Sequence, residues 1–299
     1  MRVEFASALI NNYAKVPNQA FLTGDLGYMA LEKVCSTFGK HFINGGVAEQ
    51  NMVSVAAAMA YEGFIPWAYS ISPFITLRPY EQIRNDVCHH NLPVKIVGNG
   101  GGYGYGIMGS THHNLEDIAV MRVLPNMQVY VPFVASDVEE CVQAILVNNA
   151  PSYLRLNLAA VSPFTIAPFA PWRKVKEGSK LIVIGAGPVL GNLFTLPADL
   201  LDNIEIWVLS KLPVLELPES LATRINQVKN VVTIEEHAGQ CGINELLGKL
   251  ILRSTSGGIR YNNLFSKGYI SGKYGDQKWH LEENGMYGKA LENNIRQLI

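Results

Sequence analysis

Short apolar runs alternate with helix-period segments along the chain. Ala20-Phe21-Leu22-Thr23 ends at Gly24-Asp25, and His41 to Asn44 leads into Gly45-Gly46 and a helix through Tyr61. Pro66 to Ser70, Val94 to Val97 and Val129 to Val131 read as further buried strands, while Tyr80, Ile83 and Val87 recur on one helical face. Ser136-Asp137-Val138-Glu139 has the form of a capping box opening another helix. The segment Ser162 to Trp172 carries three prolines and reads as a linker. The alternation then restarts, with strands at Lys180–Ile184, Ile204–Leu209 and Asn230–Ile234 and helices from Pro188 and over Asn244–Leu252. Such alternation predicts an α/β fold with parallel sheets, divided into two domains at about 1–165 and 170–299.

Composition narrows the function classes. Of 299 residues, 48% are hydrophobic and 16% charged, so the chain can bury a large core and is not disordered. The formal net charge of −1 leaves no basic excess for a nucleic-acid backbone. So few charges suggest a surface partly covered by another chain. Met1-Arg2-Val3-Glu4 does not open a secretory signal, and the apolar stretch Met52–Ala60 is too short to span a bilayer. Cys35, Cys88, Cys141 and Cys241 lie far apart, without the paired spacing of a zinc site, and a reduced cytoplasmic protein is expected.

Three glycine-bearing segments are candidates for chemistry. Gly185-Ala186-Gly187-Pro188-Val189-Leu190-Gly191 follows an apolar run, but its spacing is GxGxxxG rather than the dinucleotide-binding GxGxxG. A plain turn with Pro188 in the first turn of a helix explains it as well. In Gly45-Gly46-Val47-Ala48-Glu49 a carboxylate opens an otherwise apolar helix, where it either favours the helix dipole or does chemistry. The run from Gly98 to His113 lets the backbone approach a ligand closely and ends in tandem histidines, which diverge too far to share one metal.

The order GGVAEQNM, SPFITLRPYEQIRNDV, GSTHHNLEDIAVMRVLPNM, SYLRLNL resembles the pyrimidine-binding domain of transketolases. VVTIEEHAGQCGINE and SGKYGDQ are similar to the C-terminal domain of that family. The diphosphate- and metal-binding GDG…N motif has no counterpart, since Gly24-Asp25-Leu26 and Gly275-Asp276-Gln277 do not match it. Met1 falls where the pyrimidine-binding domain would begin. The chain thus resembles the C-terminal subunit of a split transketolase, which implies two three-layer α/β domains.

The resemblance implies a thiamine diphosphate cofactor, an electron sink for a carbanion beside a carbonyl. Glu49 falls on the glutamate that hydrogen-bonds the aminopyrimidine and shifts it to the imino tautomer, and burial is expected to raise its pKa. Phe74 and Tyr80 match the aromatic pocket around that ring, with Leu77 where a further aromatic is common. Asp25 and Leu26 match an Asp-Leu pair that props the cofactor. His112 matches the histidine at the donor hydroxyl, with His113 merely following it. Arg155 and, by a more local match, Arg2 correspond to arginines that grip a sugar phosphate. Met108 replaces an aspartate that reads the acceptor, and the glycines near Gly100 replace a phosphate-contacting histidine, which puts the sugar phosphate in question.

The implied activity is two-carbon ketol transfer from a ketose to an aldehyde. A partner chain would carry the diphosphate and Mg²⁺, this chain contributing no metal ligand. The expected assembly is a dimer of this chain flanked by two partners, a heterotetramer. The alternatives are a beta-type subunit of a thiamine-dependent 2-oxo acid dehydrogenase, a deoxyxylulose-phosphate-synthase-like enzyme, and a non-catalytic scaffold subunit.

Overall fold

In a computed structural model, which describes residues 1–27 and 30–299, the chain forms two sheets flanked by helices. The strands are β1 (Gln19–Thr23), β2 (Phe42–Asn44), β3 (Ile65–Ile71), β4 (Lys95–Asn99), β5 (Gln128–Tyr130), β6 (Ser152–Leu156), β7 (Trp172–Lys176), β8 (Leu181–Ala186), β9 (Ile204–Leu209), β10 (Lys211–Leu212), β11 (Asn230–Ala238) and β12 (Arg260–Ser266). The first sheet runs β10-β5-β6-β4-β3-β1-β2, and the second β12-β11-β8-β9-β7. Neighbours pair in parallel except β10 with β5 and β7 with β9.

Two-residue periodicity sorts the first sheet's side chains onto two faces. Phe21, Trp67, Tyr69 and Val97 pack with Phe5 and Leu9 of the helix Arg2–Tyr13 and with Val138 and Val142 of Asp137–Leu146. Leu22, Ala68 and Ile96 pack on the other face with Met52, Val53 and Ala56 of the helix Glu49–Tyr61 and with Ile83 and Val87. This second core continues without a break into Ile182, Ile184 and Leu209 of the second sheet. Leu181, Val183, Ile206 and Val232 face a third layer that includes Leu281, Leu291 and Ile295 of the C-terminal helices Gln277–Glu283 and Gly288–Leu298.

The sheet-forming segments follow the expected pattern, with local corrections. Ser136 does cap the helix from Asp137, but its side chain makes no capping bond, so the box is not formed. Instead the Asp137 carboxylate accepts from the backbone N–H groups of Phe133 and Val134 and pairs with Arg173. Pro188 opens a 3₁₀ helix, Pro188–Thr195, rather than an α-helix. His41 lies in a 3₁₀ turn just before β2. The four cysteines are free thiols, and no helix among the described residues is long and apolar enough to cross a membrane.

Candidate active site

In a parallel sheet the carboxyl ends of the strands lie along one edge, and ligands bind where the strand order reverses. Here the order reverses between β1 and β3, because β1 is followed by its neighbour β2 on one side and by β3 on the other. Asp25 follows β1, Glu49 follows β2, Phe74 follows β3 and the glycine-rich loop follows β4, so the topology delivers these residues to a common edge.

Glu49 is the first residue of its helix and is only 5% exposed. The turn before it is held by Gly45 N donating to Thr23 O and by Gly46 N donating to Asn44 Oδ1. Gly46 has φ +68, a conformation that glycine adopts without strain. The carboxylate accepts from Ser70 Oγ at 3.4 Å and, through both oxygens, from a guanidinium N–H of Arg78 at 3.1 and 3.0 Å. The same guanidinium lies 3.8 Å from the centroid of Phe74. Phe74 in turn meets the His112 ring edge to face at 5.2 Å, and Tyr105 lies 5.9 Å from His112. Thus Glu49, Arg78, Phe74 and His112 form one contiguous chain of contacts beside a cavity of about 550 Å³ lined by Val47–Asn51 and Arg78.

Arg78 was not among the residues that the sequence singles out. Its signal is its place four residues after Phe74, the spacing that puts two side chains on one helical face. Its guanidinium rests on both Glu49 oxygens.

The other expected residues are more dispersed. Asp25 and Leu26 line a neighbouring cleft with Leu31, Cys35 and Phe42, and Gly24 sits against the carbonyl of Gly46. Leu77 is 43% exposed at the end of the helix Ser72–Leu77. Tyr80 packs against the core and donates its hydroxyl to Val120 O. Arg2 is exposed in the first turn of the N-terminal helix; burial pushes the Tyr69 and Tyr105 hydroxyls up, and the Arg2 charge offsets only part of this. Ile107 and Met108 are both exposed.

His112 is half-buried, its Nδ1 3.0 Å from Thr111 Oγ1. His113 points the other way: it is buried, with Nε2 2.7 Å from Gly106 O and Nδ1 2.9 Å from Tyr269 Oη. Burial pushes its pKa down to about 4, so the neutral ring donates to the carbonyl and accepts from the tyrosine. The tandem histidines divide into one facing the site and one holding the loop.

Arg155 is placed inside the protein. It is 2% exposed, with Nε 2.7 Å from Asp117 Oδ2 and a terminal nitrogen donating to Glu236 O at 2.9 Å. In this arrangement it ties β6 to β11 and presents no open fork to a phosphate. The glycine-rich loop closes over the same polar cluster. Glu236 accepts from Tyr103 N at 2.8 Å and from Asn157 and Gln277, while Asn157 also donates to Gly101 O at 2.7 Å. A methyl group at Gly101 or Gly102 would overlap Arg155 or Glu236 respectively. At these glycines the close approach is to the protein's own buried ions rather than to a ligand.

Comparison with known proteins agrees with this architecture. Residues 1–162, just over half of the chain, match the family model described as the transketolase pyrimidine binding domain. The chain belongs to the transketolase family. It is 28% identical to one of the subunits of the apulose-4-phosphate transketolase of Actinobacillus succinogenes, over 83% of this chain and 80% of that one. It is also 28% identical to a putative transketolase C-terminal section from Methanocaldococcus jannaschii, over 99% of this chain and 95% of that one. A solved split-gene transketolase, described as an inactive β4 tetramer, superimposes with a TM-score of 0.82 at 25% identity, covering 99% and 96% of the two chains. The chain thus resembles the beta-type, C-terminal subunits of split transketolases over nearly its full length.

The family implies thiamine diphosphate, and the site fits its pyrimidine half. A buried carboxyl that can bond a ring nitrogen stands next to an aromatic face, and a flat guanidinium already spans the two. Glu49 and Phe74 are the residues that would hold the ring, with Ser70 bonded to the Glu49 carboxyl.

Proposed function

We propose that this chain is the pyrimidine-binding, C-terminal subunit of a two-chain transketolase that moves a two-carbon ketol unit from a ketose to an aldehyde. Residues 1–165 form the pyrimidine-binding domain and 170–299 the C-terminal domain. A partner chain bearing the GDG…N motif holds the diphosphate and Mg²⁺, and two copies of this chain sit between two partners. The observation that carries this reading is the buried Glu49 carboxyl linked through Arg78 to the Phe74 ring, with His112 in edge-to-face contact with that ring. Exposed Val47, Leu77, Ile107 and Met108 near the site support coverage by another chain.

When bound, thiamine diphosphate supplies the electron sink for the two-carbon fragment. Glu49 would bond the ring nitrogen through its carboxyl and exchange a proton there, and the Ser70 hydroxyl steadies that carboxyl. Phe74 would offer its face to the ring. His112, oriented through Nδ1 by Thr111, uses Nε2 to take or return a proton at the donor's hydroxyl. The buried pairing of Arg155 removes the expected phosphate clamp, and exposed Arg2 is the remaining arginine for that task.

The test is to mix this chain with a partner bearing the GDG…N domain and to titrate thiamine diphosphate with Mg²⁺. Tight binding of thiamine diphosphate and ketol transfer by the mixture alone, both lost in Glu49→Gln, are expected, this chain by itself binding at most weakly. Tight binding by this chain alone would overturn the shared site, and full activity of Glu49→Gln would overturn the mechanism.

A further inference from the structure

The placement of Arg78 has a consequence for how a ring enters the site, and the inference rests on the reading of Glu49 and Phe74 as the aminopyrimidine subsite. We propose that Arg78 is a displaceable stand-in for that ring: its guanidinium and the aminopyrimidine compete for the same carboxyl and the same aromatic face.

Geometry supplies the first argument. The guanidinium is flat and delocalised, and it stacks on aromatic faces while bonding carboxylates in its plane. Here it does both at once, 3.8 Å from the Phe74 centroid and 3.0 and 3.1 Å from the two Glu49 oxygens. An aminopyrimidine is also flat, and it needs a carboxyl at its ring nitrogen and an aromatic face beneath it. Two flat groups do not share one such slot.

Proton chemistry supplies the second. A carboxylate paired with a guanidinium accepts hydrogen bonds only, and an arginine gives up no proton at working pH. To donate to a ring nitrogen Glu49 must carry a proton, so the cation has to leave before the carboxyl can do its work. The arginine is free to move when a ring replaces it on the carboxyl. Arg78 is 44% exposed and follows the last residue of its helix, with Pro79 next, so its long side chain can turn into water. Only the arginine of this pair is exposed, 44% against 5% for Glu49, so the cation can leave once an incoming ring takes over the buried carboxyl that it would otherwise strand. The consequence is a site that keeps its buried carboxylate paired until the ring arrives.

The experiment uses the full-length chain and thiamine as the probe, with binding followed by calorimetry and by proton NMR of the ligand. The variants are Arg78→Ala, Arg78→Gln, Glu49→Gln and Arg78→Ala with Glu49→Gln. Removing the competitor should tighten thiamine binding about tenfold in both Arg78 variants, and Glu49→Gln should abolish the gain. Repeating the titration with thiamine diphosphate, Mg²⁺ and the partner chain should show the same order of affinities. Equal or weaker binding by both Arg78 variants, with binding still dependent on Glu49, would overturn the competition and leave the site assignment standing. Binding indifferent to Glu49, or absent from every variant alone and in the mixture, would overturn both.

Discussion

Arg155 Nε lies 2.7 Å from Asp117 Oδ2, and neither side chain is more than 2% exposed. Asp117 also receives the Tyr153 hydroxyl at 2.7 Å, and Arg155 reaches across to Glu236 O of the second sheet. A buried pair of this kind contributes modest net stability, but each ion is costly once the other is removed. The arginine that motif matching places at a substrate phosphate therefore serves to join the two sheets beneath the glycine-rich loop.

Arg155→Ala should consequently lower stability by about 3–5 kcal/mol, the cost of an uncompensated buried charge on Asp117. Urea denaturation of the purified chain measures this. Arg155→Lys should recover only part of the loss, because one ammonium cannot reproduce the fork to Asp117 and Glu236 O. A variant as stable as wild type, with KM raised for phosphorylated sugars alone, would return the residue to the substrate.

Gly102 and Gly46 separate two reasons for a glycine. Their φ angles are +66 and +68, so an L-residue at either is strained by about 1–2 kcal/mol. At Gly46 an added Cβ meets nothing within 4 Å, whereas at Gly102 it overlaps the Glu236 carboxyl. Gly102→Ala should therefore lower the melting temperature clearly more than Gly46→Ala. It should also disturb His112 by displacing its loop. Equal effects on stability would show that the loop moves off Glu236 without cost.

These residues also show what could be read in advance. The alternation of apolar runs was enough for an α/β fold, because β1, β3 and β4 carry their burial in the sequence itself: Phe21 and Leu22, or Trp67 and Ala68, point to opposite cores. Glu49 and Phe74 were legible as motif positions, and the sheet topology brings them to one edge. The polar partners were not. Arg78, Asp117 and Glu236 owe their roles to contacts across 29, 38 and 79 residues of chain. Nothing in local spacing says which arginine meets substrate and which is sealed by a carboxylate from elsewhere. The capping box at Ser136 is not made because Ser136 is itself in the αR conformation, φ −64 and ψ −27, and Glu139 instead accepts from Asn12, 127 residues away.

Glu235 gives a pH dependence with a definite sign. Its carboxyl accepts from Ile243 N and Asn244 N at the start of the helix Ile243–Ser254, yet burial pushes its pKa from 4.5 up to about 7. Between those values the folded chain holds a proton that the unfolded chain has released. This group's stabilising contribution is complete below 4.5 and is lost as pH rises through 7. His113 and His237, both lowered by burial, act in the opposite direction over part of that range. The check is therefore a difference: stability of wild type minus that of Glu235→Gln, measured from pH 4.5 to 7, should fall as pH rises. A flat difference would show that Glu235 does not hold the extra proton.

Lys95 supplies the complementary case at alkaline pH. It is 1% exposed in β4, donating to Asn148 O and Ala150 O, and burial lowers its pKa from 10.5 to about 7. Between those values the unfolded chain binds the proton that the folded chain has shed, so this group makes stability rise with pH until both states are neutral. Lys95→Met removes the buried charge, and it also leaves two carbonyls without their donor, at a cost of about 1–3 kcal/mol each. The deficit of the variant relative to wild type should then be smallest at pH 7, where the wild-type amine still carries much of its desolvation penalty, and largest near 10.5. Buried Tyr69 and Tyr153, whose hydroxyls are pushed up, oppose the trend in both proteins alike, so subtraction removes them. Urea titrations across this range decide the matter. A deficit independent of pH would mean that the amine stays charged within the fold and that its two carbonyls hold it as an ammonium.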